Sequence, residues 1–394
     1  MSRILVLTTT YPYASNDPQP GFVKYLSEGL AKENDVWVLA PSIEGRPSKN
    51  SEEAVKVKRY RYFFSFGERL CGGDGMLENL RSNRLLFALL PFMFVAQCWA
   101  AIRLVRKRRI EVIHAHWIIP QGLVAVLVSS LSRHKPKILV TSHGGDLFAL
   151  NGIIPKLLKR FVLKRADSIT VVSEAMKRKC ITEFALSSDK VVVAPMGVDL
   201  QDTFVPRGTK QTRRLVFVGR LAEKKGVDIL LQAMAELANT QEFRLDVIGG
   251  GARLEFYRNE VLKLGLSESV FFHGAIANHL LVPYLQKATI GVFPFRVAED
   301  GDQEGLGLTM VEAMGCECAV VASDLPAVRD VVVDGVTGHL VENGSALSFA
   351  EKISALLSSP EGASRLGQDA RLFVLRKFDW RCVATQYNEI VRLL

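Results

Sequence analysis

The feature that most constrains the fold is an alternation of short apolar runs with stretches of helical periodicity. The runs are rich in Val and Ile and lack a polar residue at every second position, which is typical of strands buried on both faces of a parallel sheet. In the first half of the chain they fall at residues 4–8, 36–40, 111–115, 137–141, 168–172 and 190–194. Helical periodicity separates them at residues 21–32, 85–107, 120–132, 153–165 and 174–184. The polar residues 42–59 predict a loop.

The same alternation begins again after residue 213. Strands are predicted at residues 215–218, 244–248, 270–272, 290–294 and 319–322. Helices are predicted at residues 225–238, 252–264, 279–287, 305–315 and 347–358. The intervening residues 195–213 show no periodicity, and 394 residues are about twice the usual size of one domain. The sequence therefore predicts an α/β fold of two doubly wound domains, residues 1–200 and 201–378, whose parallel sheets face each other across a cleft.

Cysteine usage and the first residues bear on the compartment. The six cysteines form no CxxC pair and no cluster with the spacing of metal ligands. The apolar run near the N-terminus is short and lacks the cleavage pattern of a signal peptide. We therefore expect a cytoplasmic protein in a reducing environment.

Charge is distributed unevenly along the chain. Residues 1–200 contain 29 Lys and Arg against 17 Asp and Glu, a charge of +12, whereas residues 201–394 contain 21 against 24, a charge of −3. A basic first half favours an anionic partner such as a nucleic acid, a phosphorylated lipid or a membrane surface. A solvated cationic face is the alternative.

Residues 85–102 are nearly all apolar, and residues 103–109 add five Lys and Arg. The run just reaches transmembrane length and has the basic flank of a membrane helix. It lies, however, between elements of the strand–helix series, and Pro91 would bend it. We predict a buried or interfacial helix whose basic end binds anionic lipid at the inner face of the cytoplasmic membrane, with a true span as the alternative.

Residues 300–316 place two carboxylates, Glu304 and Glu312, eight positions apart. The first carboxylate is followed by Gly305, Leu306, Gly307 and Leu308. We predict a glycine-containing loop that becomes a helix at Leu306, so that both carboxylates lie on its ligand-facing side. The helix start offers N–H groups and a positive dipole end to a phosphate group. The alternative is a solvated helix start whose acidic residues favour the dipole.

A basic turn follows the first strand of the second predicted domain. Residues 218–226 contain Gly219, Arg220, Lys225 and Gly226 between a strand and a helix. Arg220 can give planar multidentate hydrogen bonds and Lys225 adds a compact charge, which suits a diphosphate. The alternative is a solvated basic turn.

Three further positions in the first predicted domain are candidate ligand contacts. His143 ends a strand beside two glycines and can bind a sugar hydroxyl or the reacting oxygen, although it could instead be structural, with Asp146 capping the next helix. His116 ends another strand and is a candidate acceptor contact, and no third residue is spaced to complete a zinc site. Gly21 opens a helix and can let a phosphate or the acceptor reach the helix N-terminus.

Together these motifs resemble the retaining glycosyltransferases of family 4, which have the GT-B architecture of two Rossmann-like domains. The resemblance covers nearly the whole chain. It rests on the carboxylate pair at Glu304 and Glu312, the turn with Arg220 and Lys225, and residues 143–146, in this order and spacing. The Gly21 loop and the Phe-Asp-Trp sequence at residues 378–380 extend it. Each motif alone is a weak signal, whereas the set is specific.

The resemblance implies that a nucleotide-diphosphate sugar binds mainly to the second domain. Arg220 and Lys225 would hold the diphosphate and stabilise the leaving group, and Glu312 would bind the ribose hydroxyls. Glu304 and the backbone of residues 305–308 would contact the transferred sugar and the phosphate, and His143 would lie at the sugar. Catalytic roles are therefore implied for four residues, namely Glu304, His143, Arg220 and Lys225. Acceptor contacts are assigned to His116 and Asp146.

The resemblance has further implications. The backbone near Gly274 would meet the base, and a final helix, residues 379–394, would cross back to the first domain. Neither a metal nor a cofactor would be required. Retention would follow from same-face attack, with the donor phosphate taking the acceptor proton, so Glu304 would position the sugar. Gly250 stands where many relatives carry an acidic residue, which leaves base contacts from that loop open.

The predicted function is transfer of a sugar to a glycan or lipid-linked acceptor in bacterial cell-surface polysaccharide or lipopolysaccharide synthesis. A nicotinamide-dependent oxidoreductase is an alternative, but residues 245–251 carry an incomplete glycine fingerprint. A nucleic-acid-binding protein is another, but no recognition helix or aromatic and basic interleaving is evident, so we expect no nucleic-acid partner. A sugar phosphorylase would need a pyridoxal-phosphate lysine, for which no position stands out.

Overall fold

The computed structural model describes residues 1–13, 17, 19–46, 51–52, 54–72, 75–149 and 152–394. The chain divides into two compact units. The first unit comprises Met1–Val172, Met176–Pro195 and Val383–Leu394. The second unit comprises Ser173–Ala175 and Met196–Cys382.

The N-terminal part of the first unit ends at Pro195, five residues before the boundary predicted from the sequence. The residues that follow are bonded to the second unit, because the guanidinium of Arg371 donates hydrogen bonds to the carbonyls of Leu200 and Phe204, each at 3.1 Å. The segment without periodicity is therefore part of the second unit's packing.

The first unit contains one parallel sheet flanked by helices. Its described strands are β1 (Arg3–Leu7), β2 (Asp35–Pro41), β3 (Ser51–Glu52), β4 (Val55–Tyr60), β5 (Val112–His116), β6 (Lys137–Ser142), β7 (Ser168–Val171) and β8 (Val191–Val193). Its described helices are α1 (Phe22–Ala31), α2 (Met76–Ser82), α3 (Leu90–Arg108), α4 (Leu123–Ser130), α5 (Gly145–Phe148), α6 (Ile153–Arg165) and α7 (Glu174–Phe184). Short helical turns lie at Ser65–Gly67, Arg84–Leu89, Ile118–Gly122 and Ser188–Lys190.

The strand order in this sheet is β3-β4-β2-β1-β5-β6-β7-β8. The pairings are parallel except for the short antiparallel pair β3 and β4. The chain builds outward from β1 in one direction and then in the other, so the order reverses between β1 and β5. Ligands of doubly wound sheets bind outside the carboxyl ends of the strands at such a point.

The second unit contains a second parallel sheet. Its described strands are β9 (Gln211–Val218), β10 (Arg244–Ile248), β11 (Val270–Gly274), β12 (Ala288–Phe293), β13 (Ala319–Ser323) and β14 (His339–Val341), in the order β11-β10-β9-β12-β13-β14. Its described helices are α8 (Val227–Ala238), α9 (Leu254–Lys263), α10 (Asn278–Lys287), α11 (Leu308–Gly315), α12 (Ala346–Ser358) and α13 (Pro360–Phe378), and α14 (Trp380–Arg392) follows them in the chain. Short 3₁₀ turns lie at Glu223–Lys225 and Val328–Asp330. The order reverses between β9 and β12, which places the loops after these strands at the switch point.

The prediction of an α/β fold with two parallel sheets is confirmed. The loop predicted over residues 42–59 is wrong in part, because its last residues belong to strand β4. That strand alternates Val with Lys, and the Nζ of Lys56 lies 2.6 Å from Oδ1 of Asp35 on the neighbouring strand. The basic residues at every second position led to the prediction of a polar loop, although Val55 is buried.

Helix α14 begins in the second unit, and its residues from Val383 belong to the first. The hydroxyl of Tyr387 donates to the carbonyl of Ala194 at 3.1 Å, and the Asn34 amide donates to Oδ1 of Asn388 at 2.8 Å. Both bonds are buried, so the helix forms part of the core of the first unit.

Candidate functional site

Helix α11 begins at Leu308 rather than at the predicted Leu306. Gly307 caps it in the left-handed region, with φ of +88°, and a Cβ at this position would lie 2.6 Å from Cε of Met310. The glycine therefore ends the loop, and Glu304 lies on that loop outside the helix. No side chain caps the helix start among the described residues. Its first N–H groups and positive dipole end remain available to an anion.

The loop carboxylate Glu304 is paired with the basic turn. The ammonium of Lys225 donates a hydrogen bond to Oε2 of Glu304 at 2.6 Å, and both side chains are at most 15% exposed. Burial opposes ionisation of Glu304, but the charges of Lys225 and Lys224 and a hydrogen bond from the N–H of Gly305 hold its pKa at about 2. Glu304 is therefore ionised at neutral pH.

The second carboxylate, Glu312, is in a different electrostatic state. It is the fifth residue of α11, whose neighbouring residues Val311 and Ala313 are buried, and burial raises its pKa to about 8, against an opposing effect from Lys225. Glu312 is therefore mostly neutral at pH 7. Lys225 influences both carboxylates, which places the predicted pair around one cation even though only Glu312 is helical.

The basic turn after β9 owes its geometry to a glycine. Gly226 has φ of +64°, and a Cβ there would lie 1.8 Å from the carbonyl oxygen of Pro294. The chain can therefore pass against the end of β12, which leaves Lys225 between the Glu304 carboxylate and the ring of Phe295, 4.4 Å from its Nζ.

Arg220 contrasts with the two lysines of the same turn. Lys224 donates to Oδ1 of Asp302 at 3.1 Å, and Lys225 donates to Glu304. Arg220 is exposed, and its guanidinium forms no hydrogen bond or ion pair with the described part of the chain. Arg220 therefore presents an unmatched positive charge in the turn whose two lysines contact the loop before α11.

Two residues of this region were not identified from the sequence, namely Lys224 and Asp302. Their ion pair ties the loop before Glu304 to the basic turn. The only sequence signals were the adjacent lysines at 224–225 and the acidic residues at 300–304. Neither signal indicates which lysine pairs with which carboxylate.

The glycines after β10 and β11 line the same end of the sheet. A Cβ at Gly249 would lie 1.8 Å from the carbonyl oxygen of Gly219, so two turns touch through backbone. Gly274 ends β11 with φ of +69°, and a Cβ there would meet no described atom within 4 Å. Open space beside this backbone fits the predicted base contact, which stays a prediction.

In the first unit, His143 lies within a group of rings at the switch point. Its ring centroid is 4.8 Å from that of Phe22 and 5.1 Å from that of Trp117. Phe22 is the first residue of α1, directly after Gly21. The structure thus brings the predicted Gly21 helix start and His143 together. No described side chain caps α1, and its first turn contains no acidic residue.

His143 and His116 form a hydrogen bond. Nε2 of His143 and Nδ1 of His116 are 3.0 Å apart, and the two rings are nearly parallel, at 9°. His114 lies behind them, with its ring centroid 4.4 Å from that of His116. Burial lowers the pKa of His143 to about 3, with a further lowering by His114, and burial lowers the pKa of His116 well below its usual value. Both imidazoles are therefore neutral at pH 7.

Asp146 holds the backbone around His143. Its carboxylate accepts hydrogen bonds from the N–H of Ile118 at 2.7 Å, the hydroxyl of Ser142 at 2.8 Å and the N–H of His143 at 3.1 Å. Asp146 has a structural role, but the expectation that it caps the next helix is wrong, because it lies inside α5, whose N-cap is Gly144. The acceptor contacts of Asp146 and His116 stay predictions. Among the residues the structure describes, no three His, Cys, Asp or Glu side chains are arranged to hold a metal ion.

The chain matches known families along most of its length. Residues 22–202 match the family described as Glycosyltransferase Family 4, and residues 201–373 match Glycosyl transferases group 1. A curated relative is the GDP-mannose-dependent alpha-(1-6)-phosphatidylinositol monomannoside mannosyltransferase of Mycolicibacterium smegmatis, which is 26% identical over 302 residues, 73% of this chain and 78% of that protein.

Solved structures share the fold over the whole chain. Sucrose-phosphate synthase from Thermosynechococcus elongatus has a TM-score of 0.80 at 22% identity, covering 100% of this chain and 99% of that one. Anabaena HepE in complex with UDP-glucose has a TM-score of 0.74 at 15% identity, covering 99% of both chains. At these identities the likeness concerns the fold.

Proposed function

Because this chain belongs to the glycosyltransferases of family 4, we propose that it transfers a sugar from a nucleotide-diphosphate sugar with retention of configuration and without a metal ion. The observation that carries this proposal is the pairing of Lys225 with an ionised Glu304 near a neutral Glu312. In the described part of the chain the Arg220 guanidinium in the same turn has no partner, and the start of α11 has no side-chain cap. The family membership argues against the oxidoreductase and phosphorylase alternatives. The absence of a nucleic-acid partner stays a prediction.

The donor diphosphate would bind where positive charge is unmatched. Lys224 and Lys225 are each balanced by a carboxylate, whereas Arg220 is not, and Glu312 adds no negative charge at pH 7 while its pKa stays near 8. The start of α11 adds N–H donors to the same region. These groups can neutralise a diphosphate without a divalent cation, which is the basis for proposing metal independence.

The chemical step is a substitution at the anomeric carbon. The bond from this carbon to the phosphate oxygen breaks, the acceptor oxygen bonds to the carbon from the same face, and the acceptor proton passes to the leaving phosphate oxygen. Arg220, Lys225 and the helix start would stabilise the charge that develops on this oxygen. Ionised Glu304 would accept hydrogen bonds from hydroxyls of the transferred sugar, and Glu312 would bind the ribose. We retain the proposal that His143 contacts the sugar.

We propose a glycan or lipid-linked acceptor and a cytoplasmic enzyme at the inner face of the membrane, in cell-surface polysaccharide or lipopolysaccharide synthesis. Two observations support this proposal. The first 200 residues carry a charge of +12, and the relative from M. smegmatis is named for a phosphatidylinositol-linked acceptor.

The donor is tested by thermal shift with UDP-, GDP-, ADP- and dTDP-sugars, each with and without EDTA, and with NADH. We expect a rise in Tm with one nucleotide class, unchanged by EDTA and lost in Arg220→Ala. The matched control is Arg329→Ala, because Arg329 is also an exposed arginine of the second unit but is paired with Asp324. A rise that EDTA abolishes would reject metal independence, and a rise with NADH alone would reject the transferase.

Stereochemistry is tested on the product. The anomeric configuration is read by NMR from the proton coupling of the newly formed glycosidic bond and compared with that of the donor. We expect the two to agree. An inverted product would reject retention and leave the donor-site assignment standing.

A further inference from the structure

The first unit carries a large exposed apolar surface. Its members are side chains that are 54–82% exposed, which we name the aromatic surface: Phe64, Phe66, Leu85, Phe87, Phe92, Val95 and Trp99. The ring of Phe63 joins its two parts, with centroids 5.2 Å from Phe64 and 5.9 Å from Phe92. A contiguous apolar surface of this size on a folded protein marks a site of interaction.

The long apolar helix that contributes to this surface is fixed to the first unit by its opposite side. Residues Arg84–Arg108 are the one helix among the described residues that is long and apolar enough to cross a membrane, and 22% of its most apolar window is buried. Gln97, Ala101 and Val105 of this helix are fully buried, and α3 packs against β1, β2 and β4. Since one side is occupied by the sheet, the helix can present only its other side to a partner.

The exposed side changes from apolar to basic along the helix. Phe92, Val95 and Trp99 are followed at helical spacing by Arg103 and Arg106, all exposed. The guanidinium of Arg103 lies 5.6 Å from the ring of Trp99. The order along this side is therefore aliphatic and aromatic side chains, then a tryptophan, then cations.

The basic end carries several like charges close together. Burial lowers the pKa of Lys58, and the charges of Arg103, Lys107 and Arg108 lower it further, because like charges disfavour each other. The guanidinium of Arg108 lies over the ring of Trp37 at 4.3 Å. A concentration of cations beside an apolar surface needs a partner with an apolar interior and an anionic border.

We propose that the aromatic surface and the adjoining cations Lys58, Arg103, Lys107 and Arg108 dock this enzyme on an anionic lipid bilayer. The apolar side chains enter the boundary between headgroups and acyl chains, and the cations bind headgroup phosphates. Trp99, which lies between the two groups on α3, sits at the headgroup level where amphipathic rings accumulate. The helix lies on the membrane and does not cross it.

A bilayer fits this surface better than a protein partner does. It offers an apolar layer and an anionic border at one surface, which matches the apolar and the basic side chains that adjoin each other on the exposed side of α3. The proposal does not depend on which sugar or acceptor is used, since it rests only on the exposed side chains of the first unit.

The test is sedimentation of the full chain with vesicles of phosphatidylcholine alone or with 30 mol% phosphatidylglycerol. We expect binding to the anionic vesicles at low salt and a blue shift of tryptophan emission that Trp99→Phe abolishes. Phe66→Ser and the pair Arg103→Glu with Arg108→Glu should each weaken binding by about tenfold. Phe256→Ser and Arg258→Glu are matched controls on α9 of the second unit, since both residues are exposed, and they should bind like the wild type.

Every variant is also checked by circular dichroism and by thermal shift with the nucleotide donor, which should both be unchanged, because the substituted side chains are exposed. Equal loss of binding in the controls, or binding to neutral vesicles that salt does not weaken, would overturn the proposal. Failure to bind any vesicle would also overturn it. A dimer seen by light scattering, with Trp99 protected, would then show that a second copy of the chain covers this surface. Loss of the donor response without loss of vesicle binding would count against the proposed function alone.

Discussion

The ammonium of Lys225 donates a hydrogen bond to the carboxylate of Glu304 at 2.6 Å in the second unit, where both side chains are nearly buried. The two residues are 79 positions apart in the sequence. Their pairing joins the turn after β9 to the loop before α11, which are the two parts of the proposed donor site. The bond therefore holds the two parts of the proposed site together.

Removing the cation should destabilise the protein. In Lys225→Met, Glu304 would remain as a buried carboxylate without its main partner, so we expect its pKa to rise from about 2 and the free energy of unfolding to fall by about 2–4 kcal/mol at pH 7. Urea denaturation monitored by circular dichroism measures the change.

A surface pair of the same length gives the control. Nζ of Lys263 lies 2.6 Å from Oε1 of Glu260, but the lysine is 69% exposed, so Lys263→Met should cost about 0.5 kcal/mol or less. Adding Glu304→Gln to Lys225→Met should recover much of the loss, since the unpaired charge is removed. Equal losses for the two lysine variants would contradict a buried pair.

The two carboxylates should have opposite effects on the pH dependence of stability. The pKa of Glu312 in the folded chain is about 8, above its usual 4.5, so its contribution is full below pH 4.5 and is lost as pH rises through 8. Glu312→Gln should therefore raise the free energy of unfolding at pH 8.5, by about 2 kcal/mol after allowance for partial exposure, and change it little at pH 5. Thermal unfolding at the two pH values measures this.

Glu304→Gln provides the comparison of opposite sign. Its folded pKa of about 2 lies below 4.5, so its stabilisation is present above pH 4.5 and is lost as pH falls toward 2. This variant should lose stability at both pH 5 and pH 8.5. A stabilising effect of Glu304→Gln at pH 8.5 would contradict the low pKa of Glu304 and indicate that Glu304, and not Glu312, has the raised pKa.

The strand–helix alternation predicted most elements because buried parallel strands are continuous apolar runs, which a sequence shows directly. It missed β4, where Lys56 and Lys58 mask the buried Val55, and it began α11 at Leu306 because the left-handed backbone of Gly307 leaves no periodic signal. Lys224 was missed because its partner, Asp302, is 78 positions away. Elements follow from local pattern, whereas pairings depend on tertiary distances.

The backbone of Gly226 is the most sterically restricted position in the basic turn. Gly226→Ala would place Cβ 1.8 Å from the carbonyl oxygen of Pro294, so the turn must shift and carry Lys225 away from Glu304. We expect a loss of about 3 kcal/mol or more in the free energy of unfolding and a weaker donor response in thermal shift.

Gly265→Ala is the control that measures the cost of a left-handed backbone without the clash at Gly226. Gly265 has a similar φ of +68°, but a Cβ there would meet nothing within 4 Å, so Gly265→Ala should cost about 1–2 kcal/mol and leave the donor response unchanged. If the two alanine variants were equally stable, the contact with Pro294 would not be limiting.

The histidines of the first unit should stay neutral under assay conditions. Burial and His114 hold the pKa of His143 at about 3, and its Nε2 lies 3.0 Å from Nδ1 of His116, so one of these nitrogens carries the shared hydrogen. A base whose folded pKa is depressed contributes stability above pH 6.5 that is lost as pH falls toward 3. Protonating this pair therefore competes with folding.

The measurement is ¹⁵N NMR of the imidazole rings between pH 7 and pH 5, with the signals of His143 identified by their loss in His143→Asn. We expect those signals to remain at the positions of a neutral ring, with one protonated and one unprotonated nitrogen, while the urea-unfolded chain titrates near pH 6.5. His116→Phe should remove the shared hydrogen bond and shift the ¹⁵N signal of Nε2 of His143. A His143 ring that titrates near pH 6.5 in the folded chain would contradict its burial beside His116, and it would then carry a positive charge into part of the working pH range.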